Sequence, residues 1–122
     1  ESGKIEDLIE FSPKHTIALQ GIIDRIVDLM VPFRERWYYT PETQGSYSIK
    51  KVLPALVPEL SYDNLDIKGG GVASSTFSQM IQGTFEGDVK ETRKHLLAYC
   101  KMDTLAMVEI LKKLKNKTLL TK

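Results

Sequence analysis

The stretch from Leu96 to Leu111 is strongly helical, with one residue out of place. Counting the helical neighbours of Asp103 at three, four and seven positions gives Leu96, Tyr99, Met107 and Ile110, with Leu114 one step further on. A carboxylate therefore falls within an apolar stripe, one turn below a tyrosine. An ionised carboxylate taken out of water is costly unless a hydrogen bond, a basic neighbour, a helix cap or a metal ion offsets the loss. One reading keeps the helix whole, so that Asp103 lies within hydrogen-bonding reach of Tyr99 in a partly open depression. The other breaks the helix near Met102 and makes Asp103 the cap of its second half.

The 122 residues suit a single domain, or a fragment of one, spanning 1–122. The chain opens at Glu1 without a methionine, so the expectation is a piece of a longer protein. A formal net charge of +1 excludes a polycationic nucleic-acid binder. The basic residues are uneven, however: Lys112, Lys113, Lys115, Lys117 and Lys122 crowd the C-terminal end. There they complement a helix dipole or meet phosphate. Cys100 has no second cysteine to pair with, and neither a signal peptide nor a long apolar span appears. A cytoplasmic location without membrane contact is the expectation. No Cys/His cluster has zinc spacing, and His15 and His95 stand far apart.

Caps and breakers predict a mainly α chain of about five or six helices, α+β at most. Residues from Lys4 to about Glu10 have the spacing of a short helix with Ile5, Leu8 and Ile9 on its inner side, Phe11 being a further candidate for that side. Ser12-Pro13 restarts a helix in the favoured order of cap and first-position proline, and Gly21 weakens its continuation. Ile26 to Val31 is short, β-branched and bounded by Pro32, which suits a strand or the buried end of that helix. Phe33 to Tyr39 sets aromatics beside Arg34 and Arg36. This is either a stacking surface for bases or a half-buried strand or turn, with a second short strand around Tyr38.

Residues 40–46 read as a flexible loop. Ser46 or Ser48 then caps a helix whose apolar side is Ile49, Val52, Leu53 and Leu56, limited in length by Pro54 and Pro58. Tyr62 to Ile67 is a short connection. A second flexible point lies at 68–71, where Gly69-Gly70-Gly71 is either a plain turn or a backbone cradle for phosphate ahead of the helix 72–81. Residues 83–87 close that helix, and Asp88 caps the last and longest one, running to about Lys115.

Two motifs carry a resemblance. Gly45-Ser46-Tyr47-Ser48-Ile49-Lys50-Lys51-Val52-Leu53-Pro54-Ala55-Leu56 is followed by Leu97-x-Tyr99-Cys100-x-x-Asp103-Thr104-x-Ala106-Met107. Together they resemble the bacterial family called domain of unknown function 2779, over nearly the whole chain and including Asp24 to Met30. The Tyr99-x-x-x-Asp103 pattern also resembles the third exonuclease motif of the DEDD nucleases, which have a ribonuclease H-like fold. In that superfamily acidic residues hold two divalent metals, and the metals activate water for attack on a phosphodiester.

The resemblance implies that Asp103 is a metal ligand and that Tyr99 places the attacking water. Glu1, just before a helix, would be the remnant of the second motif and a further ligand. The Asp-x-Glu of the first motif is absent. The expectation is therefore the C-terminal part of a ribonuclease H-like fold, inactive alone. Its cofactor in the parent protein would be Mg²⁺ or Mn²⁺, not held tightly here. Lys50 and Lys51 are the candidates for contact with single-stranded nucleic acid. The upstream part of the same polypeptide is the expected partner, and apolar surface left uncovered would favour a homodimer. The competing reading is a non-catalytic helical binding or interaction module of a multidomain bacterial protein.

Overall fold

The computed structural model describes residues 2–120, with side chains up to Lys117. Six α-helices occur among them: α1 (Ser2–Phe11), α2 (Thr16–Ile23), α3 (Val31–Arg34), α4 (Ile49–Leu56), α5 (Gly70–Gln82) and α6 (Val89–Leu120). Single turns of 3₁₀ helix occupy Pro13–His15 and Pro41–Thr43. The chain is mainly α, as its caps and breakers predict. None of the described helices is long and apolar enough to cross a membrane.

The two expected strands do not form: the described residues contain none. Around residues 26–30 the reason is local. The Asp28 carboxylate accepts the Met30 N–H at 2.9 Å, and the Asp28 carbonyl accepts the Val31 N–H at 3.2 Å. That side-chain bond turns the chain where a strand would extend it, and Pro32 then lies in the first turn of α3. Near Tyr38 the chain doubles back, its N–H reaching the Pro32 carbonyl at 3.0 Å after Arg36 adopts a positive φ of 58°. Tyr38 packs edge-on against buried Phe33, with ring centroids 5.6 Å apart, and Lys117 lies 5.2 Å from its ring centre. The aromatic segment is thus an anchored turn, while Trp37 and Tyr39 stay exposed.

The core sits where α4 crosses α6. Val52, Leu53 and Leu56 of α4 are buried against Tyr99, Ala106 and Ile110 of α6, with Val57, Tyr62 and Ile67 of the connecting loop. The α4 face is the predicted one. On α6 the inward stripe runs through Ala106, while Met107 is 48% exposed. Pro54 lies inside α4, and lacking an N–H it can make no bond back along the helix, which ends two residues later.

Other expectations needed adjustment at their edges. The residues of the glycine run do not form a free loop, because Gly69 is the N-cap of α5 and Gly70 its first residue. Part of the loop 40–46 is the 3₁₀ turn, closed by Gln44 and Gly45 at positive φ. Ser12 and Ser48 precede their helices without a side-chain capping bond. Asp88 does cap, its Oδ1 accepting the Glu91 N–H at 3.0 Å, and α6 continues past Lys115 to Leu120.

α1 packs on α2 and on the intervening 3₁₀ turn, whereas α5 packs on α6, and none of these three helices contributes a buried residue. Leu8 and Phe11, expected on the inner side of α1, face solvent instead, as do Ile17 and Ile22 of α2, because the two helices of this hairpin pack only on each other and on the 3₁₀ turn.

Candidate functional site

The helix α6 runs unbroken through residue 103, so the capping reading of Asp103 is overturned. Its carboxylate is half-buried, and Oδ1 accepts a hydrogen bond from the Tyr62 hydroxyl at 2.7 Å. Tyr62 reaches it from the loop after α4. Its ring lies tilted to that of Tyr99, centroids 6.1 Å apart, so two tyrosines flank one carboxylate.

Electrostatics follow from this crowding. Burial pushes the Tyr62 hydroxyl well above the ordinary tyrosine range, and the bond to Asp103 and its negative charge push it further. Tyr99 is raised in the same direction, first by burial and then by the charge of Asp103 and hydrogen bonding to it. Both phenols are therefore kept neutral, as donors facing an acceptor.

The surroundings of this cluster bring in α5 and α4. A Cβ added at Gly70 would meet the Tyr99 hydroxyl at 3.5 Å, so that oxygen stands beside the first turn of α5. A Cβ added at Gly69 would meet Lys50 Nζ at 3.4 Å. The structure thus brings Lys50 of α4 to the start of α5, near Tyr99. Lys51, its neighbour in sequence, is exposed on α4. His95, one turn before Tyr99, has its Nε2 at 3.5 Å from both Asp66 and Glu91.

Glu1, the second expected metal ligand, lies outside the described residues. Ser2 beside it lines an apolar groove of about 610 Å³ together with Met107 and Ile110 of α6. Met107 is one turn beyond Asp103. Among the described residues no three His, Cys, Asp or Glu side chains gather to hold a metal ion. The Asp103 carboxylate alone is too few for a hard divalent cation.

Tyr62 was not anticipated from sequence as a site residue. Its only signal is an aromatic set among Leu65 and Ile67 in a stretch otherwise rich in turn formers, and nothing in sequence ties it to a residue 41 positions later.

No curated protein and no solved structure matches the chain. The resemblance read from two motifs over nearly the whole chain narrows on comparison, because the match includes Gly45 to Ser48 of the first motif and none of the second. What matches is the family model described as Domain of unknown function (DUF2779), to which residues 1–48 are similar.

Proposed function

We propose that this chain is part of a metal-dependent 3′–5′ exonuclease-like unit acting on nucleic acid, and that it is inactive without the remainder of that unit. Asp103 would be a ligand of its metal, and Tyr99 would orient the attacking water. The observation carrying this reading is a half-buried carboxylate held in mid-helix by a tyrosine hydroxyl, with a second tyrosine one turn away. The bond from Tyr62 fixes the rotamer of Asp103. Lys50, beside the positive end of α5, suits a nucleic-acid phosphate.

Mg²⁺ or Mn²⁺, when bound, would supply Lewis-acid activation of water and of the phosphoryl oxygens. The remaining ligands, and the sheet of a ribonuclease H-like fold, would come from upstream in the polypeptide. The test is Asp103→Asn in the intact polypeptide, measured as Mn²⁺-dependent cleavage of single-stranded nucleic acid. Cleavage is expected to be lost with the fold intact, because the substitution keeps shape and removes the charge that holds a metal. Tyr99→Phe is expected to be milder, since it removes one water-orienting hydroxyl and keeps the packing of the ring. Unchanged cleavage by both variants, or no cleavage by the unmodified polypeptide, would leave Asp103 a structural partner of Tyr62.

The second reading, a helical interaction module, draws on a different observation. Phe11 and Ile17 are 89% and 91% exposed on a hairpin without buried residues, as expected of a surface that meets another protein.

A further inference from the structure

The aromatic and arginine segment after Phe33 and the lysine run of distal α6 play no part in the cluster around Asp103, and the fold brings the two together. Lys117 Nζ lies 5.2 Å from the centre of the Tyr38 ring, and Tyr38 belongs to the turn that carries Arg36, Trp37 and Tyr39. Lys113 is exposed on α6 four residues before Lys117, which places it one turn away on the same helix face. Positive charge from the end of a helix therefore borders an aromatic turn.

That turn is shaped by unusual backbone. Arg36 and Gln44, at φ 58° and 53°, are the non-glycine residues with positive φ among those described, and Gly45 follows at 78°. Left-handed backbone is unfavourable for a residue with a Cβ, and such strain collects where a ligand is held. Here the bends set Arg36, Tyr39, Gln44 and Gly45 around one open pocket of about 370 Å³. Between Tyr39 and Gln44 the 3₁₀ turn is anchored by buried Thr43, whose hydroxyl donates to the Thr40 carbonyl at 2.8 Å. The pocket is thus formed before anything enters it.

The side chains round it are uncommitted. Among the described residues neither the Arg36 guanidinium nor the Gln44 amide has a hydrogen-bond or ion-pair partner, whereas Arg34 is taken by Glu35 at 3.0 Å and Asp28 at 4.0 Å. Tyr39 is 63% exposed. A free phosphate would use the cations alone, and an apolar ligand the ring alone. A nucleobase with its phosphate uses all three groups, stacking on the ring, bonding its edge to the amide and meeting the guanidinium. We propose that this turn and the adjoining face of α6 bind single-stranded nucleic acid, with one base in the pocket of Arg36, Tyr39 and Gln44 and neighbouring phosphates on Lys113 and Lys117. A duplex is excluded because its stacked bases cannot offer a face to Tyr39. With a net charge of only +1 over the whole chain, attraction for the strand comes from this local cluster. The inference does not rest on the nuclease reading.

Fluorescence anisotropy of a short labelled single strand, titrated with the 122-residue chain in EDTA, tests the proposal. Binding that weakens with added salt is expected. Tyr39→Ala should weaken it about tenfold, the loss of one base–aromatic stack, and Tyr39→Phe should restore it. Arg36→Asn removes the guanidinium and suits a positive φ, so it should weaken binding and flatten the salt dependence. Both residues are exposed, so these substitutions have little native packing to disrupt. Phe77→Ala, at an exposed ring on α5, should leave the affinity as it was. An unlabelled duplex and a mononucleotide should each compete more weakly than the unlabelled strand. Absence of binding overturns the proposal, as does binding indifferent to both Tyr39→Ala and Arg36→Asn. A duplex or mononucleotide that competes as well as the strand overturns it too. The assay contains no free divalent metal and scores no cleavage, so its failure leaves the Asp103→Asn test untouched.

Discussion

At the scale of single residues, the bond between Tyr62 and Asp103 joins the loop after α4 to the middle of α6, and it is the element most open to measurement. Tyr62→Phe keeps the ring in its buried place and removes only the hydroxyl donor. The half-buried carboxylate then turns to water, so the expected loss is about 1 kcal/mol, below the range for a fully buried charged hydrogen bond. Urea unfolding of the variant reads it directly. Alkaline pH gives a second reading of the same bond. The folded state holds the Tyr62 proton more tightly than the unfolded chain does, so its contribution is complete below about pH 10 and declines above it. Tyr62→Phe should therefore flatten the fall of stability above that pH, and an unaltered slope would mean that other groups govern it. The relation of Tyr99 to Asp103 was legible in sequence because helical periodicity determines it. Tyr62 was not legible, because a contact between a loop and a helix 41 residues apart depends on tertiary packing alone.

At the scale of elements, the sequence was most informative where local chemistry decides the outcome. The apolar face of α4 follows from its spacing, and the start of α6 follows from Asp88, whose side chain occupies the N-cap geometry. Asp88→Ala is expected to cost about 1 kcal/mol, with thermal unfolding as the readout, and Asp88→Ser should recover most of it. A loss below a few tenths of a kcal/mol would mean that the first turn of α6 frays without consequence. Residues 26–31 were misread as strand-compatible because β-branched composition was weighed without the Asp28 side chain. That carboxylate supplies a turn within the segment, and no neighbouring strand is present among the described residues to reward extension. The glycine run was misread for a related reason. Glycine permits unusual backbone angles, yet Gly70 and Gly71 are simply the first helical residues of α5.

For the molecule as a whole, the division between a core built on α4 and α6 and a hairpin that buries nothing predicts two levels of stability. Amides in α6 from Tyr99 to Ile110 are covered by Val52, Leu53 and Leu56, and opening them requires separating the core. Amides of α2 are protected only by its packing on α1 and the 3₁₀ turn, so local opening should cost little. Hydrogen exchange on the chain should accordingly show α1 and α2 exchanging well before α6. Sequence patterning could not reveal this imbalance, because Ile17, Ile22 and Ile23 look like core residues until their neighbours are known. Protection in α2 that equals that of α6 would mean that the hairpin is held by contacts stronger than its exposed side chains indicate.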